Sequence, residues 1–164
     1  MKLRFKEKQK FTQWWLWIFF IGLLMVPIYG IYHQVIIGEQ LGNKPASNFE
    51  IVLFFIITLA LLIFFWVLEL STIIDDKSIQ MKYFPITKKE IKWEEITSVE
   101  VVNYGFVGGW GVRLGTKYGT VYNTRGKIGL ALKLKNGKKL CIGTQKEAEL
   151  KKVIKEAYRQ QKIS

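Results

Sequence analysis

One cysteine, one histidine and three prolines are all that this 164-residue chain contains of those residues. A lone Cys141 excludes a disulfide framework within the chain. With His33 as the only imidazole, soft ligands are too few for a four-ligand structural zinc site. Acidic residues are also scarce: 13 Asp and Glu face 25 Lys and Arg, a formal net charge of +12. Apolar residues are abundant, at 49% hydrophobic and 15% aromatic, which excludes intrinsic disorder, and the ordinary Gly and Pro counts exclude a collagen or low-complexity chain. Mean hydropathy is slightly positive although 23% of residues are charged, so apolar and charged residues must be segregated along the chain. The first 70 residues are greasy and the last 94 are polar.

From Trp14 to Tyr32 the chain runs 19 residues without a charge, and from Ile51 to Leu68 it runs 18. About 20 apolar residues cross a bilayer core, so both runs qualify as membrane helices once their flanks are included, over about 14–37 and 49–70. Trp14, Trp15 and Trp17 at one end of the first and Tyr29 and Tyr32 at the other fit aromatic belts. Pro27 and Gly30 are expected to bend that helix, and His33 to follow as a solvated end residue. Cations set the orientation: Lys2, Arg4, Lys6, Lys8 and Lys10 precede the first run, whereas the connection from His33 to Glu50 carries only Lys44. The expectation is a basic cytoplasmic N-terminus over 1–13, a transmembrane hairpin over 14–70 and a cytoplasmic domain over 71–164. That domain holds 19 Lys and Arg against 9 Asp and Glu. The short outer connection, with Gly38, Gly42, Pro45 and Ser47, is too small for ligand sensing.

Beyond Leu70 the pattern becomes short segments of period-two alternation broken by turn signals, as in an antiparallel sheet. Ser71 to Ile74 begins the first strand, and Asp75, Asp76 and Lys77 turn the chain. Ile79, Met81 and Tyr83 mark one face of the next strand, and Pro85 ends it. Ile91 and Trp93, then Ile96, Val99 and Val101 with an interruption near Thr97, then Trp110 to Leu114 and Thr120 to Asn123 continue the series. Leu130, Leu132 and Leu134 lead to Asn136-Gly137, expected as a type I′ turn, and Leu140 and Ile142 return. Thr144 and Glu147 have capping-box spacing, and Leu150, Val153, Ile154, Ala157 and Tyr158 form one apolar helical stripe. A barrel of about seven antiparallel strands closed by a C-terminal helix is the expected fold.

The strand order, with Gly108-Gly109-Trp110-Gly111-Val112-Arg113, Val121-Tyr122-Asn123, Gly129-Leu130, the turn Asn136-Gly137-Lys138-Lys139 and Ile142-Gly143-Thr144, resembles bacterial pleckstrin-homology-like (PH-like) domains tethered by a transmembrane hairpin. The resemblance covers most of the chain. It implies a PH-like split barrel with a capping helix and supplies no catalytic residues.

No motif carries chemistry. Eight of fourteen glycines lie between Gly105 and Gly129, yet a dinucleotide fingerprint from Gly109 and Gly111 would need glycine at Leu114. Gly126-Lys127 lacks the upstream glycine at Val121 and the hydroxyl at Ile128, so bulges and tight turns explain these glycines. Cys141 has no histidine in its domain, and Asp75-Asp76 and Glu94-Glu95 have no acid-base or metal partner. No catalytic residue, metal ligand or cofactor is therefore assigned. The surplus charge concentrates in Lys133, Lys135, Lys138 and Lys139 on one hairpin and in Lys88, Lys89 and Lys92 on another connection. Those seven are the candidate contacts for anionic lipid head groups or a protein partner, the alternative being a solvated basic surface. The expected function is a noncatalytic adaptor or scaffold at the inner membrane, with both termini cytoplasmic, integral in lipid and open to a protein partner or homo-oligomer. An accessory subunit of a larger membrane complex, with Gly22, Gly30 and Ala60 packing on other spans, is the alternative, and a membrane enzyme a weaker one. Nucleic acid is not expected, because the basic residues are not interleaved with a stacking platform.

Overall fold

The computed structural model describes residues 2–40 and 42–163, and of residues 158–163 the backbone only. The chain divides into two compact units, one of residues 12–67 and one that combines residues up to Phe11 with those from Leu68 onward.

The helical unit holds α1 (Trp14–Gly30), continued as a π-helical stretch over Ile31–Ile37, and α2 (Asn48–Val67). Pro27 lies inside α1 and has no N–H to give its ladder, so the regular α hydrogen bonding gives way one turn later. The continuous helix from Trp14 to Ile37 is 24 residues and α2 is 20, long and apolar enough to cross a membrane. At ~1.5 Å per residue they reach about 36 and 30 Å. Among the described residues only Phe20, Pro27 and Gly30 of α1 and Thr58 of α2 are buried. Helices so apolar and so exposed are unlike the core helices of a water-soluble fold. Trp17 stacks edge-on to Trp66 and Phe20 lies 4.8 Å from Phe65. At Gly30 the helices come so close that a Cβ would sit 3.1 Å from Ile51. The Ser47 and Glu50 side chains form a reciprocal cap at the start of α2, and Gln34 donates to Ala46 O and Asn48 Oδ1.

Among the described residues the β unit has nine strands in two sheets. The first sheet is β1 (Leu3–Lys10), β2 (Glu69–Asp75), β3 (Ser78–Phe84) and β4 (Thr87–Lys92), in that spatial order. The second comprises β5 (Ile96–Asn103), β6 (Gly111–Thr116), β7 (Gly119–Asn123), β8 (Ile128–Leu134) and β9 (Lys139–Gly143), in the order β5-β8-β9-β7-β6. The first sheet buries Phe5, Leu70, Ile74, Ile79, Met81 and Tyr83 on one face, and the second buries Leu130, Leu132, Leu140 and Ile142 on one face and Val121 and Cys141, with Tyr104, on the other. Tyr83 and Tyr122 meet across them at 6.3 Å. Helix α3 (Glu147–Ile163) covers β5 and β1 through Leu150, Ile154 and Ala157; Tyr158, expected on that stripe, lies outside the described side chains.

Four expectations change. Among the described residues no closed barrel forms, because the 3-10 turn Trp93–Glu95 carries the chain from one sheet to the other instead of continuing the ladder. From Glu69 onward the strands number eight where about seven were expected, β1 joins them from the N-terminal segment, and β7 pairs with β9 in parallel. Asn136 has negative φ and only Gly137 is left-handed, so the β8–β9 loop is the three-residue kind, with Leu134 N–H donating to Lys138 O, and not a type I′ turn. The Thr144 hydroxyl does accept the Lys146 N–H, but α3 begins at Glu147, whose carboxylate pairs with Lys151. The carboxylate that meets Thr144 is Glu7 of β1, at 2.6 Å.

The N-terminal segment, read above for its charge alone, is the finding with the widest consequence. Residues 3–10 pair antiparallel with β2 from Leu3↔Asp75 to Lys10↔Glu69. The stretches before α1 and after α2 are thus adjacent strands of one sheet.

Candidate functional site

Register gives the β unit two ends. Lys10 and Glu69 close the β1–β2 ladder at one, four residues before α1 and two after α2. Glu69 pairs with Phe84, so the β3–β4 turn lies at that same end. Gln9 donates to Gly143 O at 2.7 Å and accepts from the Thr124 hydroxyl, and Tyr83 donates to Asn123 O, which brings in the loops after β7 and β9. Tyr104 N–H donates to Lys127 O, which adds the β5–β6 loop. At the opposite end, the Trp93 indole donates to Asp75 O and Lys135 N–H to Glu95 O, so the β8–β9 hairpin tip stands beside the β2–β3 turn. Seven strand steps of ~3.4 Å separate the two ends by about 24 Å.

The seven lysines singled out in the sequence are divided by this geometry. Lys88 and Lys92 point outward from β4, whereas Lys89 turns to the other face and stands 5.1 Å from the centre of the Tyr122 ring. Lys88 is in the half of the sheet that holds Lys10 and Glu69, and Lys92, paired with Ser78, is at the far end. Lys135 and Lys138 occupy the far tip, and Lys133 and Lys139 are cross-strand partners just inside it. With Lys117, Tyr118, Ser98 and Glu100 those two line an open pocket of about 230 Å³.

Other cations complete the nearer group. On the outward face of the first sheet Lys8, Ser71, Lys82 and Lys88 form one row across four strands, with Lys10 and Lys6 in the rows on either side. Lys8 reaches Glu69 at 3.1 Å. Lys82 and Lys88 stand directly opposite one another, a like-charge pairing that weakens a sheet, and Lys82 Nζ lies 5.1 Å over the Phe84 ring. Sequence reasoning missed Lys82 and the strand character of β1. The signal for β1 was present as the strict two-residue spacing of Arg4, Lys6, Lys8 and Lys10.

The polar groups inside the unit act as latches. Glu7 is buried and accepts from the Thr144 hydroxyl and the Gln145 N–H, tying β1 to the start of α3. Asn123 accepts from Gly111 N–H and donates to Tyr104 OH. Burial pushes the Cys141 thiol up to about 12, and burial raises Tyr83 to about 12 against the opposing pull of Arg113. Cys141 packs with Tyr104 and Val121. The Arg4 guanidinium holds the Asp76 carboxyl below its ordinary value. Among the described residues no three His, Cys, Asp or Glu side chains cluster to hold a metal ion. A second cavity, about 210 Å³ and mostly apolar, is lined by Phe106, Val107, Trp110 and Lys127. No family matches the chain, and no curated protein or solved structure is detectably similar to it.

Proposed function

We propose that the chain is a noncatalytic membrane-anchored adaptor, whose two apolar helices cross the inner membrane and hold the β unit at its cytoplasmic face. The observation that carries this is the pairing of β1 with β2: strands that flank two membrane-length helices share one sheet, so both must lie on the same side of any membrane the helices cross. The cations before α1 and the single Lys44 in the connection favour the cytoplasm for that side. Lys8, Lys10, Lys82 and Lys88 then stand close to the anionic leaflet, where each contributes about 1 kcal/mol. Lys133, Lys135, Lys138 and Lys139, about 20 Å farther along the strands, lie beyond a Debye length of ~8 Å and are offered to an acidic protein partner. A PH-like kinship remains part of the proposal, supported by two stacked sheets with a C-terminal helix.

Lysine footprinting of the full chain tests the placement. In nanodiscs containing phosphatidylglycerol, Lys8, Lys82 and Lys88 are expected to be protected from amine-reactive reagent and to regain reactivity at high salt, while Lys135 and Lys138 react freely. Equal reactivity of both groups in phosphatidylcholine and phosphatidylglycerol discs, at any salt, would overturn it.

A further inference from the structure

The loops at the two ends of the β unit expose different chemistry. At the far end they carry Asp76 and Lys77, Glu94 and Glu95, Lys117, and Lys135 to Lys138. At the end that leads into the helices they carry large apolar side chains in the open: Phe84 at 46%, Ile86 at 50%, Phe106 at 84% and Trp110 at 37% exposure. Single exposed hydrophobic residues are ordinary on any surface. Here Phe84 closes β3 and Ile86, Phe106 and Trp110 lie in two loops at one end, and five exposed cations, Lys10, Lys82, Lys88, Arg125 and Lys127, belong to the same end. Apolar and aromatic tips with lysines just behind them match the layering of a membrane interface, where rings sit at headgroup depth and ammonium groups meet phosphates. Continuity supplies the partner: Leu68 alone separates α2 from β2, and one residue spans at most ~3.6 Å.

We infer that this end of the β unit dips into the interfacial layer of an anionic bilayer, the β3–β4 turn through Phe84 and Ile86 and the β5–β6 loop through Phe106 and Trp110. The inference rests on the membrane placement proposed above and adds a penetrating surface to it. The unit is then held at its rim as well as by its two covalent tethers, which fixes its tilt and keeps its charged end turned to the aqueous phase.

Environment-sensitive fluorophores on single introduced cysteines test this in the full chain. Native Cys141 is buried with its thiol held neutral, so Ile86→Cys and Phe106→Cys can be labelled selectively, with Asn136→Cys at the far tip as the reference. In nanodiscs of phosphatidylglycerol and phosphatidylcholine, the probes at 86 and 106 are expected to emit at shorter wavelength than the probe at 136. Doxyl-labelled lipid should quench them several-fold more strongly. Iodide reaching all three probes equally would overturn the inference. If the lysines near the helices are protected while the probes stay aqueous, the penetrating surface fails and the adaptor placement stands. A chain that fails to associate with lipid at all removes both.

Discussion

The two ends of the β unit both carry cations, and their loops differ in what accompanies them. One is where the chain enters the helices, and it exposes rings and aliphatic side chains backed by lysines. The other, about 24 Å away along the strands, is a rim of charged turns. Lysine density along the sequence picks out the second, because Lys133, Lys135, Lys138 and Lys139 fall within seven residues. Position in the sheet picks out the first, because Lys8, Lys82 and Lys88 come from three strands and align only through register. Electrostatic attraction to a surface decays within about a Debye length, so place in the fold, and not local density, decides which lysines a leaflet feels.

The largest test of this polarity is to cut the chain at the end near the helices. Residues 2–11 joined to 68–163 through Asn-Gly keep every β1–β2 pair and should melt cooperatively in water by circular dichroism. Residues 71–164 alone lose β1, the Glu7 and Gln9 bonds and the start of β2, and should show no cooperative transition. The reverse outcome would mean that β1 is not part of the unit's fold.

Toward the far end, Gly119 begins β7 where it runs beside β9. A Cβ there would lie 2.0 Å from Lys139 O, with φ at +77°. Gly119→Ala should cost about 3 kcal/mol or more in chemical denaturation. Gly137→Ala, also left-handed but with nothing within 4 Å, should cost only about 1 kcal/mol. At the other end Glu7→Ala strands the Thr144 hydroxyl and the Gln145 N–H, a loss of about 2–3 kcal/mol by the same measurement.

The last effect shows only at high pH and belongs to the body between the ends. Cys141 and Tyr83 hold their protons more tightly folded than unfolded, with pKa values near 12 against ordinary values of 9.0 and 10.0. Their contribution is complete below about pH 9 and is lost as pH rises toward 12. Melting temperature should fall across that window, and Cys141→Ala should flatten its lower part. A profile unchanged by Cys141→Ala would show that the thiol is not titrating from a buried state.

The helices were legible because their signal is local. Uncharged runs and aromatic flanks place helices over about 14–37 and 49–70, and the structure has them over 14–37 and 48–67. The buried alternation of Ile79, Met81 and Tyr83 was legible for the same reason. Strand β1 was legible only in its alternating outward cations, because two of its inward positions are Glu7 and Gln9, polar residues whose partners Thr124, Gly143, Thr144 and Gln145 are more than 110 positions away. Strand β4 has one buried apolar residue, Ile91, since it is an edge whose Lys88 and Lys92 face water. The parallel β7–β9 pair leaves no local pattern, and neither does the polarity of the unit, which exists only once the register of both sheets is known.

The claim that supports the rest is that two membrane-length helices leave and re-enter a single sheet. Protease mapping of separate tags on the N- and C-termini, in intact cells stripped of their outer layers and in inverted membrane vesicles, measures it directly. Both tags should be cut in inverted vesicles and both spared in the intact cells. A tag at one terminus cut from outside while the other is cut only from inside would contradict the pairing of β1 with β2 across a crossing hairpin.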